Sequence, residues 1–185
     1  MMVAPKGTRM ETSPSWKENF IDALVATGPR PEFSKELMLF GRFVGSWEIT
    51  WRGYLPEPTG PVIGEWHWAW VLDGMGVQDV WIGPSRREMA NGAERDEYGS
   101  SIRFYDPEAQ HWKVSWNGPG NGNLRTFTAS EVGDDIVLEG ATLDGRPMHW
   151  IISEIADASY HWRSVVSDDD GRTWQLREEA EVRRV

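Results

Sequence analysis

The hydropathy of the chain alternates with a period of two from Gly45 onward, and this feature constrains the fold more than any other. In the first such segment, Trp47, Ile49 and Trp51 are separated by single polar residues. About ten short segments of this kind follow one another, each with the pattern of a half-buried β-strand. Turn signals such as Asp73-Gly74 separate them. The sequence therefore predicts an all-β fold: an antiparallel up-and-down barrel of about ten strands is favoured over a sandwich, which needs longer crossovers.

The segment before the barrel has helical patterning. Residues 1–42 are predicted to form an N-terminal arm with one or two helices, and residues 43–185 to form the barrel. Ser15 and Glu18 have the spacing of a capping box, and a second helix is predicted over 34–42. The first helix carries an apolar stripe of Trp16, Phe20, Ile21, Leu24 and Val25. Because a short isolated helix is unstable in water, we expect it to dock on a barrel, either as a lid over the mouth or exchanged within a homodimer.

Charge and cysteine content exclude several classes of protein. The 185-residue chain has 29 acidic and 19 basic side chains and a net charge of −10, which disfavours nucleic acid as a partner. It has no cysteine, so disulfides, thiolate metal sites and cysteine nucleophiles are excluded. No apolar run approaches the roughly 18–20 residues that span a membrane, and the first residues lack the apolar core of a signal peptide. We therefore expect a cytoplasmic protein without a membrane partner.

Tryptophan is unusually frequent, with 12 residues in the chain. Trp66, Trp68 and Trp70 share one face of a predicted strand, and Trp112 and Trp116 share a face of another. Faces that point inward would give the barrel an aromatic cavity for a flat, apolar ligand. Faces that point outward would form an apolar patch for assembly with a partner. The alternation shows which residues share a face but not which face is inside the barrel, so both alternatives stay open.

Three short motifs and the strand-rich C-terminal part resemble the calycin superfamily, which includes lipocalins, fatty-acid-binding proteins and nitrobindins. The motifs are Gly45-Ser46-Trp47-Glu48 at the start of the first barrel strand, Leu72-Asp73-Gly74, and Tyr105-Asp106-Pro107. From about Phe43 to its end, the chain is similar to bacterial lipocalin-like proteins. The resemblance implies a ten-stranded calycin-like barrel with an internal cavity, and it implies no particular ligand.

Charged residues within apolar strands are candidates for ligand binding or acid–base chemistry. An inward-facing Asp79 should contact Arg103, Arg163 or a histidine, because a lone buried carboxylate is costly. The alternative is that these charges lie on the surface or pair only to fix the strand register. The candidate ligand-binding residues are Trp66, Trp68, Trp70, Asp79, Trp81, Arg103, Trp112, Trp116, Trp150, Trp162 and Arg163. The candidate catalytic residues are Asp79, Glu154 and His149.

Binding of a small apolar or aromatic molecule inside the barrel is the function that these patterns predict. A second hypothesis is a cofactor-independent cyclase, isomerase or dehydratase that moves a proton with a carboxylate or histidine in the cavity. A third is an interaction protein that uses exposed tryptophan faces. No metal site is predicted, because the four histidines lack zinc-motif spacings. No cofactor is expected, with a haem held by His161, as the nitrobindin resemblance implies, kept as a minor alternative.

Overall fold

The computed structural model describes residues 15–54 and 57–185, which form three short helices, a 3₁₀ turn and eleven strands. The helices are α1 (Trp16–Leu24), α2 (Ser34–Gly41) and α3 (Arg86–Ala90), and the 3₁₀ turn is Pro31–Phe33. The strands are β1 (Val25–Ala26), β2 (Gly45–Gly53), β3 (Val62–Val71), β4 (Gly76–Gly83), β5 (Glu97–Asp106), β6 (His111–Gly118), β7 (Asn123–Val132), β8 (Asp135–Ala141), β9 (Pro147–Ser153), β10 (Ser159–Val166) and β11 (Gln175–Arg184). Within these residues, no helix has the length and apolarity that crossing a membrane would need.

Strands β2 to β11 close into a barrel. Each strand pairs antiparallel with the next along the chain, and β11 pairs antiparallel with β2. The closing ladder runs from Glu178 opposite Gly53 to Arg184 opposite Trp47. Closure pairs the strand edges that an open sheet would leave exposed. The prediction of an antiparallel up-and-down barrel of ten strands is confirmed.

Tryptophan side chains point into the barrel. Trp66, Trp68 and Trp70 on β3 are buried at alternating positions, and so are Trp112 and Trp116 on β6. The inward alternative is therefore confirmed for both sets. The hypothesis of an interaction protein built on exposed tryptophan faces loses its basis, because these faces do not reach the surface.

Glycines on neighbouring strands make room for the large rings. A Cβ atom at Gly99 would lie 2.4 Å from ring atoms of Trp116, and one at Gly140 would lie 2.5 Å from Cδ1 of Phe127. Side chains cannot approach this closely without displacing the ring or the strand. The glycines thus let the rings of Trp116 and Phe127 pack directly against the adjacent backbone.

Helix α2 closes one end of the barrel. Leu37 and Phe40 on the helix, and Phe43 just after it, are almost completely buried. The Phe40 ring packs edge to face on Trp112, with centroids 4.9 Å apart, and Phe43 lies 5.3 Å from Trp68. Part of the segment predicted as a separate N-terminal extension therefore contributes to the barrel core.

Arg184 fastens the last barrel strand to the chain that follows α2. Its guanidinium carbon lies 4.0 Å from the centre of the Trp47 ring. The same guanidinium donates hydrogen bonds to the backbone carbonyls of Arg42 and Val44. These contacts hold β2, the first barrel strand, and β11, the last, together at the closed end.

Helix α1 lies outside the barrel core. Ser15 and Glu18 form the expected capping box, but none of the helical residues is buried, and Trp16 is 82% exposed. After the helix, β1 pairs Val25 with Val71, at the barrel end that α2 closes. The expectation that α1 covers the barrel mouth is therefore wrong. Its exchange within a homodimer stays a prediction.

Candidate functional site

The barrel interior consists of a filled half beside α2 and a cavity at the opposite end. The filled half contains Asp79 and Arg103, whose side chains are 0% and 2% exposed. Arg103 Nη1 lies 2.5 Å from Asp79 Oδ2, and the backbone N–H of Ser101 donates to Asp79 Oδ1 over 3.0 Å. The guanidinium and the carboxylate are not aligned for a hydrogen bond, so their contact is an ion pair. The predicted contact between Asp79 and Arg103 is confirmed.

Aromatic rings surround this ion pair. The guanidinium carbon of Arg103 lies 4.2 Å from the centre of the Trp68 ring and 5.1 Å from that of Phe40. Burial raises the pKa of Tyr160 well above its usual value, and the nearby Asp79 carboxylate adds to the rise. Neither Asp79 nor Arg103 lines the cavity, so the ion pair belongs to the packed core beside α2.

The other half of the barrel holds a cavity of about 320 Å³. Its walls are six tryptophans: Trp51, Trp66, Trp81, Trp116, Trp150 and Trp162. Neighbouring rings pack edge to face, with centroids 4.8 Å apart for Trp66 and Trp81 and 5.9 Å apart for Trp116 and Trp150. This arrangement is favourable for aromatic pairs and restrains the rings. The aromatic walls are therefore preformed.

Charged and polar side chains line the cavity mouth. Glu97 begins β5, Arg125 lies on β7, and Arg177 and Glu178 lie on β11. The side-chain amide of Asn121 donates to Glu97 Oε2 over 3.0 Å. Arg177 Nε donates to Glu178 Oε1 over 3.3 Å. The site thus combines an apolar interior with a charged entrance.

A β-bulge in β11 brings two consecutive side chains to the mouth. Ser164 pairs with Glu178 and Val165 pairs with Leu176, so Arg177 is the extra residue. In a regular strand, consecutive side chains point to opposite faces, whereas a bulge redirects one of them. Arg177 and Glu178 consequently both line the cavity.

Partial removal from water shifts the pKa values at the mouth in the direction that favours the neutral form of each group. Burial raises the pKa of Glu97, and the hydrogen bond from Asn121 offsets part of this rise. Burial also raises the pKa of Glu178, against the effect of the neighbouring Arg177. The 28% of the Glu178 side chain that stays accessible lines the cavity rather than the outer surface. For Arg125, burial lowers the pKa.

Four polar atoms in the cavity lining have no hydrogen-bond partner among the described residues. They are the indole nitrogens of Trp51 and Trp66, Oε1 of Glu97 and Nε of Arg125. Buried polar atoms without partners are costly and uncommon in folded proteins. Three N–H donors and one carboxyl oxygen at the cavity lining are therefore left uncompensated by standard hydrogen bonds, although the Trp51 indole lies close enough to Glu178 to help lower the pKa of that carboxyl.

The structure divides most of the sequence-predicted binding residues into two groups. One group lines the cavity: Trp66, Trp81, Trp116, Trp150 and Trp162. The other is buried in the filled half: Trp68, Trp70, Asp79, Arg103 and Trp112. The first group forms the site, and the second group supports the closed end of the barrel.

Three other candidates lie outside the barrel, because their apolar strand neighbours take the inward positions. Arg163 is on the outer face, with Nη2 3.4 Å from Ser153 Oγ. The His149 ring stacks on Trp174 with centroids 4.0 Å apart, also on the outer face. Glu154 is exposed just after β9. The expectation that these side chains project into the cavity is wrong.

His161 also lies on the outer face of β10. Its Nε2 is 3.2 Å from Glu179 Oε2. A ring in this position cannot bind the iron of a haem inside the barrel, so the minor haem alternative loses its ligand. Within residues 15–54 and 57–185, no three histidine, aspartate or glutamate side chains are placed to hold a metal ion.

The charged mouth is not evident from the sequence, although the alternation of side chains contains part of the signal. Arg125 lies two residues before the buried Phe127, and Glu178 lies two residues before the buried Ala180. Both therefore share a face with core residues. Arg177 could not be found in this way, because it faces the cavity only through the bulge.

No family model matches the chain, and no curated protein matches it by sequence. Among solved structures, the chain is similar to the S-type phycobiliprotein lyase CPES from Guillardia theta. The TM-score is 0.53 at 15% sequence identity, and the match covers 80% of this chain and 91% of that chain. The protein has a calycin-like fold. The resemblance noted for Gly45-Ser46-Trp47-Glu48 is thereby confirmed at the level of architecture. At this identity the likeness concerns the fold alone, so the calycin-like barrel's chemistry must be argued from its own cavity.

Proposed function

We propose that this calycin-like barrel binds a small, planar aromatic molecule in its tryptophan-walled cavity. The observation that carries the proposal is the cavity, in which six tryptophans enclose about 320 Å³ beside a filled half-barrel. Ligand pockets usually measure roughly 300–1,000 Å³ and combine apolar walls with a few polar groups. The cavity is at the small end of this range, which suits a compact fused-ring compound.

The unpartnered polar atoms add a directional preference. The indole N–H group of Trp66 would donate to an acceptor such as a carbonyl oxygen at the ligand's edge. Glu97 Oε1 would accept from a hydroxyl or amide group of the ligand. The solved structure with a similar fold is named as a phycobiliprotein lyase. It supports the barrel architecture only, so the proposal rests on this chain's own residues.

Isothermal titration calorimetry with neutral 2-naphthamide tests the proposal. We expect binding to the full chain, and an affinity about tenfold lower for Trp116→Leu because the variant loses one aromatic wall. Trp174→Leu is the matched control, since Trp174 lies on the outer face against His149. Circular dichroism checks that both variants are folded. Equal affinities in the two variants would contradict binding in the cavity.

A cofactor-independent acid–base enzyme is the second candidate function. It is supported by the raised pKa values of Glu97 and Glu178 beside an aromatic cavity. These residues take the role for which sequence analysis had considered Asp79, Glu154 and His149. Incubation of the protein with a cell-metabolite extract, followed by mass spectrometry, should reveal a compound that the wild type converts and the Glu97→Gln/Glu178→Gln variant does not. Identical spectra would leave binding as the function.

A further inference from the structure

Arg125 differs from the other two arginines inside the barrel. Arg103 forms an ion pair with Asp79, and Arg177 forms one with Glu178. Among the described residues, no carboxylate oxygen lies within 4.0 Å of the Arg125 guanidinium nitrogens. Arg125 is thus the interior arginine whose charge has no direct protein counterion.

The contacts of Arg125 are weak for a guanidinium group. Its Nη1 donates to the thioether sulfur of Met148 over 3.6 Å, and its Nε has no acceptor among the described residues. Sulfur of this kind is a poor acceptor. A half-buried guanidinium with such partners keeps most of its hydrogen-bonding capacity, arranged in a planar fork.

The position of Arg125 places its guanidinium group beside the cavity. Arg125 is the direct cross-strand neighbour of Trp116, and both residues line the cavity. A planar molecule packed against the Trp116 ring would therefore place its edge beside the guanidinium. Planar carboxylates match the guanidinium fork through two parallel hydrogen bonds.

We infer that the ligand of this cavity carries a carboxylate group, which forms an ion pair with Arg125 while the aromatic part lies between the tryptophans. The inference rests on the proposed function and specifies the class of ligand as an aromatic carboxylate. It concerns a residue that no sequence pattern had selected.

The carboxylates of Glu178 and Glu97 act on Arg125 only from beyond ion-pair distance, where each works to raise the Arg125 pKa against the effect of burial. Glu178 is engaged by Arg177, and Glu97 accepts from Asn121. Asp96, just before β5, also lines the mouth and is the third carboxylate there. Because an added anion is repelled by these carboxylates, the binding preference must come from Arg125 itself.

The experiment compares 2-naphthoate with its neutral analogue 2-naphthamide by calorimetry at low salt. We expect the wild type to bind 2-naphthoate about tenfold more tightly, as is typical of a hydrogen-bonded ion pair. Arg125→Met should remove this preference, so that 2-naphthoate and 2-naphthamide bind to the variant with similar affinities. Arg125→Lys should retain part of it, since lysine keeps the charge but not the fork. Arg52→Met is the matched control, because Arg52 is exposed on the outer face of β2.

The outcomes separate the inference from the proposed function. If 2-naphthamide binds and 2-naphthoate binds no better, the proposed function stands and the inference is wrong. If neither compound binds, the proposed function fails. The ratio of the two wild-type affinities, which should fall as salt is added, decides the matter even if Arg125→Met does not fold. A ratio that salt does not change would also contradict the inference.

Discussion

At the scale of single residues, Asp79 and Arg103 place two opposite charges in a core that is otherwise largely apolar. Both side chains are almost fully buried, and their charged atoms lie 2.5 Å apart. Desolvation of such a pair costs about as much free energy as the mutual attraction returns. Loss of one partner, in contrast, leaves the other charge buried without compensation.

We expect Asp79→Asn to lower the free energy of unfolding by about 3–5 kcal/mol, because Arg103 would keep an unpaired buried charge. The asparagine can still accept the hydrogen bond from the Ser101 backbone, so the ion pair is what changes. The double variant Asp79→Asn/Arg103→Met should be more stable than Asp79→Asn alone. Urea unfolding followed by tryptophan fluorescence measures the wild type, Asp79→Asn, Arg103→Met and the double variant. A double variant that loses the sum of both single losses would show that the charges are not coupled.

Strand parity explains which residues could be predicted from the sequence. It placed Asp79 on the face of Trp81, and the cost of a lone buried carboxylate then required a partner, which is Arg103. Parity does not state which face of a strand is inside, so it could not exclude His149 and Arg163, which interrupt apolar strands and lie outside. The residue types around the bulge of β11 give no sign that the alternation of inward and outward side chains is interrupted there.

At the scale of the strands, glycines determine how closely a tryptophan can approach the adjacent backbone. The Trp116 ring occupies the space where a side chain at Gly99 would begin. Trp116 also forms one wall of the cavity, and its ring packs on Trp150. The backbone of β5 at Gly99 therefore positions a ring of the site through a residue that has no side chain.

Gly99→Ala should destabilise the barrel by about 1–3 kcal/mol, the usual cost of overpacking a filled core. The displaced Trp116 ring should also weaken 2-naphthamide binding. Gly60→Ala is the matched control, because no atom lies within 4 Å of a Cβ built there. Urea unfolding and calorimetry provide the two measurements. Equal stabilities of the two variants would mean that the ring moves away without cost.

Helix α1 has a predicted apolar stripe, yet none of its residues is buried. Deletion of residues 1–24 should leave the near-ultraviolet circular dichroism of the barrel unchanged. We expect it also to convert a homodimer into a monomer, because the stripe with Trp16 and Phe20 is exposed in a single chain. Deletion of residues 1–14, which keeps α1, is the control. Light scattering that gives equal masses for both truncations would contradict dimerisation through α1.

At the scale of the whole molecule, the barrel and an aromatic cavity in it could be predicted, whereas the part of the barrel that stays open could not. Alternation is a local property, and ten consecutive strands joined by nine hairpins leave few arrangements other than closure. A cavity depends on the sum of side-chain volumes across strands distant in sequence. It also depends on the position of α2, whose Phe40 occupies the closed end. Trp68 and Trp66 are two residues apart on one face, yet only Trp66 lines the cavity.

The pH dependence of stability also belongs to the whole molecule, because carboxylates with opposite pKa shifts act on it together. The hydrogen bond from Arg86 is the main cause that lowers the pKa of Glu65 to about 2. Glu65 therefore stabilises the fold above its unfolded pKa of about 4.3, and this contribution is lost as the pH falls toward 2. The raised pKa values of Glu97 and Glu178 act in the other direction. Their contribution is present below about pH 4.3 and is lost as the pH rises through their folded pKa values.

We therefore expect Glu97→Gln/Glu178→Gln to stabilise the barrel relative to the wild type near neutral pH and to have little effect near pH 4. Glu65→Gln should show the converse, with its loss of stability largest near neutral pH. Burial lowers the pKa of His149, which adds a rise of stability with pH, so the variants are compared with the wild type at each pH. Urea unfolding at several pH values between about 3 and 8 gives these differences. A difference between the double variant and the wild type that stays constant over this range would show that the two mouth carboxylates ionise as they do in the unfolded chain. The two charges at the cavity mouth would then not lower the free energy of unfolding.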